Sequence, residues 1–248
     1  MTNTSQAFPP DFPHNTNTNQ FSKIHEILKE NNHDINVDDI YYKPLKHSDE
    51  VKELSFLYKE WFPLEYPQEF YDYLLDDETI STILALYDLE INGEKQTFIV
   101  GVLMYETRPL DLYLKNSPLL NFLKKYNGIY ILSIGVIDEL RQKGLATILM
   151  NKLLDSVKED KKVKYLYLDV VEYNKAAIRF YEKIGFERVK TRESYYDIMD
   201  KKYDSLVYCL FINEGEIIEY FYKRLLSHVF SHLYLLYDVH IPLDNSSF

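Results

Sequence analysis

The chain has 248 residues, and its 28 Lys and Arg against 39 Asp and Glu leave a net charge of −11. A balance this acidic argues against direct nucleic-acid binding, which rests on a clustered basic face. Apolar residues make up 46% and charged residues 27%, a globular composition at a length suited to one large domain with attached segments. The single cysteine, Cys209, excludes a disulfide framework and a cysteine-built zinc site, and it fits a reducing compartment.

Asn, Thr and Pro supply eleven of the first twenty residues, too polar a mixture to offset the entropy of ordering. With no basic stretch leading into an apolar one, these residues do not read as a targeting signal. We draw a flexible tail over 1–37, in which Phe21 to Asn31 has the spacing of a short helix and His33 to Asp38 reads as a linker. An α/β domain follows over 38–213, then a C-terminal segment over 214–248. Ile40 to Leu45 is a predicted strand and Asp49 to Phe62 a predicted helix, with Val51, Leu54, Leu57 and Trp61 on one face. Pro63 stops that helix and Pro67 suits the start of another, continued by Phe70, Tyr71, Leu74 and Leu75. Ser81 to Leu89 and Thr97 to Tyr105 read as strands joined at Asn92-Gly93, a strong hairpin signal. Thr107 to Asn127, with Pro109 and Pro118, is an irregular connection with room for one helical turn at Leu119 to Lys125. Gly128 to Ile137 is a nearly all-apolar strand, as expected when both faces are buried. Gln142 to Lys158 is an amphipathic helix with Leu145, Ile148, Leu149, Leu153 and Val157 inward. Val163 to Val171 is a strand, Asn174 to Lys183 a helix, Phe186 to Val189 a short strand and Ser205 to Ile212 the last strand. The order implies a mixed sheet covered by helices.

Two segments carry chemistry. The strand end Ile134-Gly135-Val136 runs through a turn into Arg141-Gln142-Lys143-Gly144-Leu145-Ala146-Thr147, where a helix opens. Unpaired N–H groups and the positive dipole end there suit phosphate oxygens, with Arg141 and Lys143 adding charge. Read alone, the segment is equally a tight turn. The second segment runs from Asn174, a suitable N-cap, through Ala177, Phe180 and Tyr181 to Gly185-Phe186, with Gly185 suited to a left-handed C-cap. Jointly, about thirty residues apart with one strand between, they resemble the GCN5-related N-acetyltransferase (GNAT) family. In that family R/Q-x-x-G-x-G/A cradles the pyrophosphate of acetyl-CoA. Trp61-Phe62-Pro63-Leu64-Glu65-Tyr66-Pro67, the run Tyr130 to Val136 and the pair Tyr195-Tyr196 resemble more narrowly the members that acetylate protein N-termini. The resemblance covers roughly Tyr42 to Ile212.

The resemblance implies the GNAT fold, a mixed and mostly antiparallel central sheet flanked by helices, and acetyl-CoA as cosubstrate with no metal. Ile134, Gly135, Val136, Arg141, Gln142, Lys143, Gly144, Leu145, Ala146, Thr147, Asn174 and Tyr181 fall at acetyl-CoA positions. Phe62, Glu65, Tyr66, Leu132, Tyr195 and Tyr196 fall at positions bordering the peptide, and Tyr130 at a catalytic tyrosine. An α-ammonium has a pKa of about 7.7–8.0, so a modest base suffices. Strand amides near Ile134 and Val136 suit a developing oxyanion, and the leaving thiolate's need for a proton or a donor is a task open to Tyr181. Where the narrower pattern has a histidine that helps remove the proton, this sequence has Asp169. A carboxylate can serve as base or hold a relay water, or it merely hydrogen-bonds a neighbour or the substrate ammonium. Three readings follow: N-terminal acetylation of Met-starting chains, lysine or histone acetylation, and a membrane-docked CoA-binding module without catalysis. Cys209, in a predicted strand, reads as a core residue, and His228 and His232 are too few for a metal site.

Glu216 to Tyr237 has helical spacing with Ile218, Phe221, Leu225, Val229, Leu233 and Leu236 on one stripe. Its aromatic residues suit a water–lipid boundary, but Leu225 to Tyr237, broken by two histidines, is too short to span a bilayer. The resemblance implies a C-terminal amphipathic anchor on the cytosolic face of Golgi or other endomembranes. A helix packed on the domain itself or on a second copy is the competing reading.

Overall fold

The computed structural model describes residues 23–30, 34–62, 66–77, 79–108 and 126–213. In chain order the elements are α1 (Lys23–Glu30), β1 (Tyr41–Lys43), α2 (Ser48–Trp61), α3 (Gln68–Tyr73), β2 (Ile80–Ile91), β3 (Glu94–Thr107), β4 (Asn127–Val136), α4 (Leu145–Val157), β5 (Val163–Val171), α5 (Lys175–Ile184), β6 (Glu187–Ile198) and β7 (Lys201–Phe211). The strands of these residues form one sheet in the order β1-β2-β3-β4-β5-β7-β6. Every pairing is antiparallel except β4 with β5.

Local chemistry sets the boundaries. Asn92 and Gly93 both have positive φ, at 54° and 82°, as a two-residue hairpin turn between twisted strands requires. Glu50 caps α2 by accepting the backbone N–H groups of Lys46 at 2.9 Å and His47 at 3.1 Å. Pro67 is the N-cap of α3, and Asn174 caps α5 by accepting the Ala177 N–H at 3.1 Å. Cys209 is buried in β7.

Helices α2 and α4 press on opposite faces of the sheet. A Cβ on Gly135 would sit 2.2 Å from the Trp61 ring, whereas one on Gly101 would lie 3.3 Å from Leu145 and 3.4 Å from Leu149. Gly101 pairs with Val136, the neighbour of Gly135, and neighbours along a strand face opposite sides. Gly135 is therefore a glycine because Trp61 occupies the space a side chain would take.

Three expectations are corrected. The tail drawn to residue 37 ends earlier: Ile24, Leu28 and Ile35 are buried in the main core. In α1, His25 reaches Glu60 of α2 at 3.5 Å and Glu139, in the turn after β4, at 2.7 Å. Helix α4 begins three residues later than predicted because Gln142 and Gly144 have φ of 63° and 93°, which no right-handed helix tolerates. Its inner face holds Met150, while Ile148 is only half-buried. Finally, β6 is a twelve-residue strand instead of a short one, and β7 begins at Lys201. The polar run Glu187 to Ser194 shows no apolar alternation, yet pairing with β7 orders it as a charged edge strand. A turn at Met199 and Asp200, both with positive φ, joins the two strands without a glycine.

Two half-buried titrations tie the core to pH. Hydrogen bonding to Glu60, with help from Glu139, raises His25 from 6.5 to about 9 against the opposing cost of burial. Burial raises Glu53 of α2 from 4.5 to about 7, although it accepts the Ile99 N–H at 2.8 Å. Both groups hold a proton more tightly when folded, so both lend stability at low pH and lose it as pH rises. Glu53 loses its share between 4.5 and about 7, and His25 between 6.5 and about 9. Urea unfolding should therefore show stability falling from pH 5 to pH 9.5. Glu53→Gln should remove the lower part of that fall, leaving the variant more stable than the parent at pH 8 by about 2 kcal/mol. A Glu53→Gln curve parallel to the parent's would show that Glu53 ionises freely in the fold.

Candidate active site

The parallel pair β4–β5 runs from Asn127 opposite Val163, through a one-residue shift at Gly128, to Tyr130 opposite Tyr167, and there the pairing ends. Beyond it β4 stays paired with β3, and β5 with β7. In β4 a bulge assists the parting: Tyr105 pairs with Ile131 and Met104 with Ser133, which leaves Leu132 as the extra residue. The inner edges of Ile131 to Val136 and Leu168 to Val171 thus border a slot whose backbone groups can pair with an extended, amide-bearing ligand. From Tyr130 to Val136 β4 rises about 20 Å.

At the closed end of the slot sits a polar cluster. The Tyr130 hydroxyl donates to Asp169 Oδ2 at 3.2 Å, and Ser205 donates to Asp169 Oδ1. The guanidinium of Arg192 lies 3.6 Å from Asp169 Oδ2, and the Asp169 side chain is only 2% exposed. Arg108 stacks on the Tyr130 ring at 3.8 Å and donates to the Tyr167 hydroxyl at 3.1 Å. Burial, reinforced by Asp169 and by Tyr195 and Tyr196, pushes the Tyr130 phenol far above its ordinary range. Burial also raises Tyr167, to about 12, despite the lowering by Arg108. Both phenols are neutral donors near neutral pH.

Aromatic side chains border this cluster. Tyr195 and Tyr196 of β6 meet edge to face at 5.1 Å. Burial raises Tyr196 far above the usual phenol range, with the fields of Asp169, Tyr195 and Tyr66 adding to it. Tyr66 packs at 4.8 Å on Phe70, 5.2 Å on Tyr58 and 6.3 Å on Phe62. The fold thus brings Tyr130, Asp169, Tyr66, Tyr195 and Tyr196 to one place, with Phe62 one ring behind. Leu132 is the bulged residue of the slot wall. Glu65 lies outside the described residues, as do the C-terminal stretch Glu216 to Tyr237, His228 and His232.

At the open end Gly144 starts α4. It has φ of 93°, and a Cβ there would meet nothing within 4 Å. Glycine is needed there for backbone conformation, not for room. No side chain caps this N-terminus, so the first amides of the helix, at Leu145, Ala146 and Thr147, are suited to an anion. The two nearby cations already have carboxylate partners: Arg141 meets Asp138 at 2.8 Å, and Lys143 meets Asp34. Tyr181 is buried with its ring edge-on to Phe180 at 5.2 Å and Phe186 at 5.6 Å. Burial raises its phenol well beyond the ordinary value, which keeps it protonated. Among the described residues no three His, Cys, Asp or Glu side chains group as metal ligands would.

The sequence reading missed Arg108, Tyr167, Arg192 and Ser205. Each owes its place to strand register and not to local sequence.

A split parallel pair inside an otherwise antiparallel sheet, with a glycine-started helix at the open end, is an acetyltransferase architecture. The model of the acetyltransferase (GNAT) family matches residues 50–186, and the chain belongs to that family. N-alpha-acetyltransferase 60 of Xenopus tropicalis is 32% identical over 173 residues, 67% of this chain and 66% of that protein. The protein of the same name from Danio rerio is 28% identical over 172 residues, 67% and 68% of the two chains. The match thus spans about two thirds of the length of these relatives. In fold, NAA60 of Arabidopsis thaliana in complex with acetyl-CoA superposes with a TM-score of 0.59 at 24% identity, over 70% of this chain and 99% of that one.

Replacing Gly144 by alanine should strain the turn and weaken acetyl-CoA binding by about tenfold, for a cost of roughly 1–2 kcal/mol at a left-handed position. Titration calorimetry reads this directly, and unchanged affinity would remove the Gly144 turn from the binding site.

Proposed function

We propose that this chain is an acetyl-CoA-dependent N-terminal acetyltransferase, moving an acetyl group from the thioester to the α-amine of a protein N-terminus. One observation carries the reading: the slot between β4 and β5 joins a helix start suited to a diphosphate to a closed end holding Tyr130 hydrogen-bonded to Asp169. About 20 Å of strand edge between them matches an extended pantetheine arm.

The Leu145, Ala146 and Thr147 amides hold the diphosphate. The edge of β4, its Ile134 and Val136 amides included, aligns the arm so that the thioester lies beside Tyr130. Tyr130 is too weak an acid to work as a phenolate, so it acts as a relay. Its oxygen takes a proton from the α-ammonium while its own O–H proton passes to Asp169 Oδ2. The free amine then forms the C–N bond as the C–S bond breaks. A second proton passes from the nitrogen through water to the departing thiolate, to which the Tyr181 hydroxyl donates a hydrogen bond. Asp169 returns its proton to solvent between turnovers. Tyr66, Tyr195 and Tyr196 narrow the approach, which favours an α-amine at a chain end. An ε-ammonium, with pKa about 10.4, would also ask far more of the relay.

The relatives' name supports transfer to an α-amine, and on the family resemblance we read the substrates as Met-starting N-termini, such as Met-Lys and Met-hydrophobic. We read these as N-termini of membrane proteins exposed to the cytosol. Assays with acetyl-CoA, a panel of Met-starting peptides and the same peptides with blocked N-termini test the reading. Turnover should be confined to free N-termini. Tyr130→Phe and Asp169→Asn should each lower kcat by about 10²-fold or more, with acetyl-CoA affinity kept. Acetylation of only blocked, lysine-containing peptides would select lysine transfer instead, and tight CoA binding without turnover a non-catalytic module.

The amphipathic spacing of Glu216 to Tyr237 supports docking on a cytosolic Golgi-type membrane surface. In vesicle flotation the full chain should rise with the lipid and a chain ending at Asn213 should stay behind. Equal partition of the two would remove the anchor.

A further inference from the structure

Asp169 is a carboxylate withdrawn from water, and such a group persists in charged form only with counter-charge and hydrogen bonds. Its partners come from three strands: hydrogen bonds from Tyr130 on β4 and Ser205 on β7, and an ion pair with Arg192 on β6. Two of the three belong to the β6–β7 hairpin, which also presents Tyr195 and Tyr196. Arg192 and Ser205 are direct partners across that hairpin. Just beyond them β6 bulges, since Tyr196 pairs with Tyr203 where regular pairing would have placed Ser194. Ser194 takes a positive φ of 51°, and its N–H donates to Asp204 at 2.9 Å. This bulge turns Arg192 and Tyr196 toward the same cluster. The guanidinium carbon of Arg192 lies 5.2 Å from the Tyr195 ring centre, and Tyr196 is hydrogen-bonded to Ser205. Arg192, only 13% exposed at its side chain, thus touches the proton acceptor on one side and a peptide-bordering ring on the other.

We propose that Arg192 is a positioning residue for acetyl transfer, holding the Asp169 carboxylate turned so that Oδ2 receives the Tyr130 proton, and coupling that geometry to the Tyr195–Tyr196 wall. The inference rests on the transferase reading above. It assigns the counter-charge that a carboxylate needs where the family pattern carries a histidine. Arg192 makes no bond to substrate and takes no proton. Its effect on rate passes through Asp169.

The test is steady-state kinetics on the full chain, with Arg192→Gln, Arg192→Lys, Asp169→Asn and the Arg192→Gln/Asp169→Asn double variant. Arg192→Gln should lower kcat at least tenfold with KM for acetyl-CoA within twofold of the parent. Arg192→Lys, which keeps the charge, should recover most of the loss. In the Asp169→Asn background the Arg192→Gln change should cost less than threefold, because the group it serves is already gone. Full additivity of the two losses, or a rise in acetyl-CoA KM matching the fall in kcat, would mark Arg192 as merely structural and overturn the inference. So would an Arg192→Gln enzyme as fast as the parent, which would leave the transferase reading intact. A parent chain that binds acetyl-CoA yet acetylates no peptide would remove both. Thermal unfolding of each variant identifies loss of fold, and in that event the Arg192→Lys rates alone decide.

Discussion

The site exists because β4 and β5 stop pairing after Tyr130 and Tyr167. A parallel pair inside a sheet normally continues, since each buried N–H and C=O left without a partner costs about 1–3 kcal/mol. Here each strand is anchored along its outer side, β4 to β3 and β5 to β7. The bulge at Leu132 bends one wall, and Trp61 pressed into the space over Gly135 fixes it. A second bulge on β3 leaves Val100 as the extra residue, and its carbonyl accepts the Ile137 N–H at 3.1 Å. The chain leaving β4 is thereby held in the direction of the Gly144 turn. A ligand that completes the interrupted ladder recovers hydrogen bonds the fold has left open, which is a strong source of binding energy for an extended amide-bearing molecule.

The polar cluster at the closed end follows from the same parting. Tyr130 is the last paired residue of β4, and Asp169 lies two residues past its partner Tyr167 on β5, so a phenol and a carboxylate meet across the fork. The neighbouring charges are arranged by sign. Arg108 covers the ring of Tyr130 and holds Tyr167, while Arg192 faces Asp169. A histidine in place of Asp169 would be neutral for most of the cycle and would need no such counter-charge. A buried carboxylate does need it. The departure from the family pattern at residue 169 and the buried arginine at residue 192 are therefore parts of one solution.

How much of this was legible in the sequence depends on the range of the interaction that decides each feature. Asn92-Gly93, Pro67, Asn174 and Gly185 act within a few residues, and each is found where local chemistry puts it. The Ile134–Val136 strand end and the Gly144 helix start were legible as a motif, although the left-handed Gln142 shortened the helix. Long-range partners were not legible. Nothing near Arg192 announces that β7 will draw a charged stretch into a twelve-residue strand, or that a bulge at residue 194 will aim it at Asp169. Likewise α1 was read as part of a polar tail, because the burial of Ile24 and Leu28 depends on surfaces supplied by residues distant in sequence.

That misreading bears on how an acidic chain receives a polyanion. With a net charge of −11, the long-range field is repulsive, but screening limits its reach to about 8 Å at physiological salt. Inside that distance lie Arg141 and Lys143, each resting on a carboxylate, Asp138 and Asp34, at the surface. Exposed pairs of this kind are worth about 0–1 kcal/mol, so exchanging a carboxylate for a phosphate oxygen costs little and gains a doubly charged partner. Asp34 belongs to the segment that packs behind α1, and α1 in turn is clamped by His25 to Glu139, two residues before Arg141. The N-terminal segment and the diphosphate turn thus share a surface. The amides at the start of α4 have no side-chain cap and suit an anion, and the two cations beside them rest on exposed acidic residues.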